Sequence, residues 1–150
     1  TYSGTIAGAM EGCLLGIPSI AFSQAYTHGH PVKWGTGTHF GAEVARKALV
    51  AGWPKNVFVN VNFPDVVAGS VKGVRVTRQG VRGFGGHIVE RVDPRGGTYY
   101  WIGYTAGEHE EDEESDIHSV RTGWISVTPL HLDLTHEATR KKLAVELGKA

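Results

Sequence analysis

Three adjacent residues near the start of this 150-residue chain carry its most suggestive chemistry. Ser3-Gly4-Thr5 places two hydroxyls and a glycine ahead of Ile6–Leu15, a stretch rich in small residues that reads as a helix lying close to a sheet. A helix N-terminus offers unpaired N–H groups and a partial positive charge, and Gly4 lets an anion come close to the backbone. A phosphate suits that arrangement. An ordinary N-cap requires the same residue types, so the tripeptide alone leaves both readings open.

Asn60 and Asn62 are polar positions in the otherwise apolar run 57–62. Side chains alternate along a strand, so both amides share one face. Buried amides need partners, and these two either line a site at the strand end or pin a neighbouring loop. His28, His30, His39 and His131, with Asp133 two positions further on, invite a metal reading. None has a helical His-Glu-x-x-His spacing and no cysteine pair accompanies them, so surface histidines are the reading kept. Seven acidic residues crowd positions 108–116. They lack the alternation and central glycine of a calcium loop and repel one another, which predicts a solvated loop. Asp116 stands apart because it sits where that run meets the next structured segment. Arg75, Arg78, Arg82, Arg91 and Arg95 make a basic region that either attracts polyanions or protects edge strands. Ser23 and Ser126 fall in strands without a nucleophile elbow, and Cys13 has apolar neighbours, so no nucleophilic arrangement emerges.

The elements that must position these residues follow from punctuation and periodicity. Gly16 and Pro18 end the first helix, and Ser19–Ser23 reads as a short buried strand. Residues 24–38 read as a loop. A second helix is expected over His39–Ala51, where Phe40, Val44 and Ala48 repeat at i+4 and Glu43 pairs with Lys47. Val57–Asn62 is a mostly apolar strand that suits a covered parallel sheet. Alternating helices and strands predict an α/β layered unit. Beyond it, Val71–Thr77, His87–Val92 and Thr98–Tyr104 are strand candidates, with a turn at Asp93-Pro94-Arg95-Gly96-Gly97. They predict an extended hairpin projecting from the α/β body. Trp124–Thr128 is a further strand, and Thr135 is expected to cap a closing helix that runs to Leu147. The chain thus divides into residues 1–65, an α/β core, and residues 66–150, which hold the hairpin, acidic loop, closing strand and helix.

Composition narrows the class. The chain is 41% hydrophobic, and fifteen basic residues balance fifteen acidic ones, so no global charge points to a nucleic-acid duplex or an anionic membrane. A single cysteine forbids an intrachain disulfide and fits a reducing, cytoplasmic setting. No apolar run approaches the roughly 18 residues of a membrane span. The start at Thr1 rather than Met is expected to mark a fragment or a processed chain.

Several segments, in order, resemble one family. Tyr2-Ser3-Gly4-Thr5, Ala9-Met10-Glu11-Gly12 and Gly16–Ser23 resemble a central block of the SurE (survival protein E) nucleotidases. Asn60-Val61-Asn62-Phe63-Pro64 resembles the family's Asn-x-Asn-x-Pro strand, and Asp93–Gly96 with Tyr99–Gly103 resembles its later hairpin. Ser126–Thr135 resembles its C-terminal signature. The resemblance implies a partial Rossmann-like α/β fold with a β-rich hairpin extension and a C-terminal helix. It implies a divalent-metal-dependent phosphatase acting on nucleoside 5′- and 3′-monophosphates, with Mg²⁺ or Mn²⁺ as cofactor in the intact protein. Ser3, Gly4 and Thr5 would then hold the phosphate, and Asn60 and Asn62 would line or support the site. The family's metal ligands, an Asp pair, a Ser and an Asn, have no counterpart in this chain and are expected upstream of Thr1, so no metal and little activity are expected of the chain alone. A homodimer or homotetramer is also implied, through the hairpin and closing helix. The rival reading is a non-catalytic oligomerisation module, or one that binds nucleotide or polyphosphate without hydrolysis.

Overall fold

The computed structural model describes residues 3–109 and 112–148, with the backbone alone at 82–85 and 103–109. The elements run α1 (Gly4–Leu14), β1 (Ile20–Gln24), α2 (Trp34–Ala51), β2 (Val57–Phe63), β3 (Val74–Val76), β4 (Arg82–Val92), β5 (Thr98–His109), α3 (Asp116–Arg121), β6 (Ile125–His131) and α4 (Glu137–Leu147). Four strands form one sheet in the order β1-β2-β6-β3, and β4 and β5 form a separate antiparallel ribbon.

The main sheet is mixed rather than parallel. β2 pairs parallel with β1 but antiparallel with β6, and β3 pairs parallel with β6. An apolar run shows only that both faces of a strand are covered, and here they are. On one face, Ala9 and Cys13 of α1 pack with Ala21 and Phe58. On the other, Val44 of α2 packs with Val59, Val61, Phe63 and Ile125. Period-two alternation along β2 thus sends Phe58, Asn60 and Asn62 toward α1 and the odd-numbered residues toward α2. The Cys13 thiol is buried and donates to the Val57 carbonyl at 3.3 Å.

Several boundaries differ from expectation for identifiable reasons. α2 begins at Trp34, not His39, although Gly35-Thr36-Gly37-Thr38 is a poor helix former. Tertiary packing overrides propensity there. Thr36 is buried and its hydroxyl donates to the Val66 carbonyl at 2.5 Å, and Gly37 lies against the Phe63 ring. β3 is only three residues long and joins the main sheet, so it is no part of the hairpin. β6 continues to His131. The cap of α4 is His136, whose ring accepts from the Thr139 N–H at 3.2 Å. Thr135 precedes it and is held in a local turn, its own N–H donating to Asp133 Oδ1 at 2.8 Å.

The acidic run is not a uniform loop. β5 reaches His109, Glu110 and Glu111 lie outside the described residues, and Asp116 opens the unexpected helix α3. Ser115 caps α3, accepting from the His118 N–H at 3.1 Å. Arg78 neutralises part of the run by pairing with Asp112 at 2.7 Å and Glu114 at 3.4 Å. The guanidinium beside Asp112 holds its carboxyl below the usual carboxylate range.

Candidate functional site

The N-terminus of α1 opens onto a cleft between that helix, the sheet and α3. Ser3 is the N-cap, in extended backbone, and its hydroxyl accepts from the Ile6 N–H at 3.3 Å. The Ser3 carbonyl takes the Ala7 N–H at 3.0 Å. The N–H groups of Gly4 and Thr5 find no acceptor among the described residues, as the first turn of a helix dictates. A Cβ at Gly4 would meet nothing within 4 Å.

The cleft has a volume of about 460 Å³, and Ser3, Ser23, Asn60, Asn62, Asp116 and Arg121 are among its walls. β-Sheet register sets the polar floor. Ser23 of β1 lies opposite Asn62, which lies opposite Ser126, which lies opposite Arg75 of β3. Asn62 Nδ2 reaches toward Ser126 Oγ at 3.5 Å, while the Asn60 amide makes no side-chain hydrogen bond among the described residues. One row along, Thr128 lies opposite Asn60 and shares a 2.7 Å hydroxyl contact with Thr77. The expected shared face of Asn60 and Asn62 is therefore present, and it meets the Ser3 cap. Thr5 sits exposed on the first turn, and its side chain is not one of the cleft walls.

Two charged walls were not assigned from the sequence. Asp116 is brought in by α3, with Oδ1 accepting the Gly80 N–H at 2.9 Å. Arg121, five residues later on the same short helix, supplies a guanidinium to the cleft. The capping serine before Asp116 was the available signal for α3. Nothing local foretold that this helix would pack over β2 and β6.

Residues 1–85 match the family described as "Survival protein SurE". This chain belongs to the SurE family. It is 55% identical over 143 residues to a protein of Paramagnetospirillum magneticum named 5′-nucleotidase SurE, covering 95% of this chain and 55% of the relative. A Parvibaculum lavamentivorans protein of the same name is 49% identical, covering 99% of this chain and 54% of the relative. The crystal structure of the SurE protein from Aquifex aeolicus superposes with a TM-score of 0.77 at 38% identity, over 97% of this chain and 58% of that one. The chain spans a little over half the length of these SurE relatives. The α/β architecture with its hairpin ribbon and C-terminal helix is thus that of a partial SurE fold.

The SurE family implies a divalent cation. Such cations take several carboxylate or other oxygen ligands. The cleft offers one carboxylate, Asp116, half engaged with the Gly80 N–H, beside neutral amides and hydroxyls. Among the described residues there is no group of three or more His, Cys, Asp or Glu able to hold a metal. The donor set in this cleft suits an anion's hydrogen bonds better than a cation's coordination shell.

Proposed function

We propose that this chain contributes the phosphate-side wall of a 5′-nucleotidase, a phosphatase that releases phosphate from nucleoside 5′- and 3′-monophosphates. The observation that carries the reading is the convergence of the Ser3 cap, Asn60 and Asn62 on one cleft at a helix N-terminus. The names of the relatives support it. The Gly4 and Thr5 N–H groups, with the Thr5 hydroxyl, would donate to phosphate oxygens in the field of the helix. Asn60 and Asn62 would orient the ester from the sheet side, and water would be the nucleophile. Mg²⁺ or Mn²⁺, which when bound neutralises phosphoryl charge, would be held by an Asp pair, a Ser and an Asn from the portion of the family that this chain does not span.

A homodimer or homotetramer, formed through the hairpin and α4, belongs to the same proposal. Ile88, Tyr100, Trp101 and Ile102 of the ribbon are more than half exposed, and no residue of α4 is buried. Apolar side chains on both faces of a two-stranded ribbon leave it short of a core of its own. No helix among the described residues is long and apolar enough to cross a membrane, and a cytoplasmic location is proposed with the rest.

The deciding experiment measures phosphate release from nucleoside monophosphates with Mn²⁺, Mg²⁺ or EDTA. It compares this chain with the same chain joined to the N-terminal portion its relatives carry. Metal-dependent release by the joined form alone is expected. Release by this chain alone would overturn the assignment of the cation ligands. Silence from both would favour a binding or oligomerisation module.

A further inference from the structure

Helix α3 turns one face to the cleft. Asp116, Ile117, Val120 and Arg121 stand at i, i+1, i+4 and i+5, the positions that the helical period gathers on one side, and all four are cleft walls. That face begins with a carboxylate and ends with a guanidinium. Five residues of α-helical rise set the two positions roughly 7.5 Å apart along the axis.

The ordinary uses of an arginine at this place are filled or out of reach. Arg121 is exposed, and its side chain makes no ion pair or hydrogen bond among the described residues. Asp116 lies one residue beyond the i+3 and i+4 spacings at which helical side chains pair, and its Oδ1 already accepts the Gly80 N–H. The last carbonyls of α3 need no guanidinium either. His118 takes the Thr122 N–H at 3.0 Å and the Thr122 hydroxyl at 2.8 Å, Ser119 takes the Trp124 N–H at 2.9 Å, and Val120 takes the Gly123 N–H at 3.2 Å.

Charge gives Arg121 a use in the cleft. It is the only cation among the cleft's walls, and Asp116 is the only carboxylate. A helix N-terminus contributes only about half a positive charge, which does not offset a phosphate dianion lying near a carboxylate. We infer that Arg121 is a specificity-determining residue of this cleft, its guanidinium clasping a terminal phosphoryl group together with the α1 N-terminus and selecting monoesters over diesters. The inference rests on the reading of the cleft as a phosphate site and deepens it. A monoester phosphoryl carries three unesterified oxygens. Two match the planar fork of a guanidinium, and the third is left for the N–H groups of Gly4 and Thr5. A diester has only two such oxygens and a single charge, so it forfeits either the fork or the helix.

The test is a heteronuclear NMR titration of this chain with methyl phosphate and, separately, with dimethyl phosphate. Methyl phosphate is expected to move the Gly4, Thr5 and Ile6 amides and the Arg121 side-chain Nε–H together. Arg121→Gln keeps a polar side chain without the charge. It should weaken methyl phosphate binding roughly tenfold or more, as loss of a hydrogen bond to a charged group does, while changing the weaker binding of dimethyl phosphate much less. Arg121→Lys keeps the charge without the fork and should fall between parent and Arg121→Gln. Amides outside α3 and the cleft should keep their parent positions in both variants. Methyl phosphate moving the α1 amides with equal affinity in parent and Arg121→Gln would overturn the role of Arg121 and spare the phosphate reading. Dimethyl phosphate binding as tightly as methyl phosphate would overturn the selection of monoesters. Methyl phosphate leaving the α1 amides unmoved in the parent would overturn the phosphate reading and this inference with it.

Discussion

Thr77 and Thr128 meet hydroxyl to hydroxyl at 2.7 Å, one immediately after short β3 and one in the middle of β6. Both are buried, Thr128 to 1% exposure. Strand β3 has only three residues, and this contact adds to its ladder with β6 and to the Thr77 N–H, which donates to the Val127 carbonyl at 2.9 Å.

Thr128→Val should therefore cost more than its change of shape suggests. It strands the Thr77 hydroxyl without a partner, at about 1–3 kcal/mol. Thr77→Val with Thr128→Val removes both polar groups and should recover most of that loss. Urea unfolding of the two single variants and the double variant measures it. A double variant as unstable as the sum of the singles would show that the hydroxyl pair is not the cause.

Gly80 is the second point where the floor is fixed. A Cβ there would lie 2.9 Å from Ile117 Cδ1 and 3.1 Å from Asp116 Oδ1. Those are the carboxylate that takes the Gly80 N–H and the residue beside it on α3. Gly80→Ala should push α3 off the β3–β4 turn, costing about 1–3 kcal/mol through overpacking and displacing Asp116 from the cleft. Unchanged stability, together with unmoved α3 amide resonances, would refute this.

How much of this was legible beforehand depends on the range of the forces involved. Period two along β2 put Asn60 and Asn62 on one face, and hydroxyls before an apolar stretch marked the α1 cap. These signals are local and were readable. The first turn of α2 was hidden because Gly35 and Gly37 are poor helix formers, and the packing of Thr36 and Phe63 that rescues it joins distant segments. α3 was hidden by brevity and by the acidic run in front of it. The placing of Asp116 and Arg121 beside Ser3 follows from how α3 packs on β2 and β6, which no pattern within α3 encodes. Thr135 satisfied the composition of a cap, yet Asp133 engaged its N–H first.

Asp65 provides a pH signature. Its carboxylate accepts from Lys33 Nζ and from the Thr27 hydroxyl, each at 2.6 Å, joining the end of β2 to the segment that leads into α2. Those hydrogen bonds, Lys33 foremost, hold its pKa below the ordinary value. Ionised Asp65 thus favours the folded chain. Its contribution is complete above the unfolded pKa of about 4 and is lost as pH falls through the lower folded value. Asp65→Asn should be less stable than the parent at pH 7, with the difference shrinking toward pH 3. Parallel thermal melts across that interval test it, and a constant difference would exclude Asp65 as the titrating group.

The ribbon makes a separate prediction about assembly. Trp101 is 61% exposed on β5, opposite Val89 of β4. Large apolar aromatics on an unsupported surface are typical interface anchors. Trp101→Lys should shift the chain to a smaller species in sedimentation velocity without loss of helical signal. A parent that already sediments as a monomer would remove the ribbon from the proposed interface.

Ser3 and Thr5 separate capping from binding. Ser3 Oγ is already committed to the Ile6 N–H, so Ser3→Ala should lower stability by about 1 kcal/mol as a lost cap. Thr5 is exposed, and its hydroxyl has no hydrogen bond among the described residues. Thr5→Ala should change stability by less than about 0.5 kcal/mol, as surface substitutions do. If the Thr5 hydroxyl donates to a charged phosphate oxygen, its loss removes a contact worth about 1.5–3 kcal/mol, or roughly 10- to 100-fold in binding. Thermal unfolding of this chain gives the first quantity. Phosphate release by the form joined to its relatives' N-terminal portion gives the second. Wild-type kinetics in Thr5→Ala would remove the Thr5 hydroxyl from the phosphate site, whatever the cap contributes to folding.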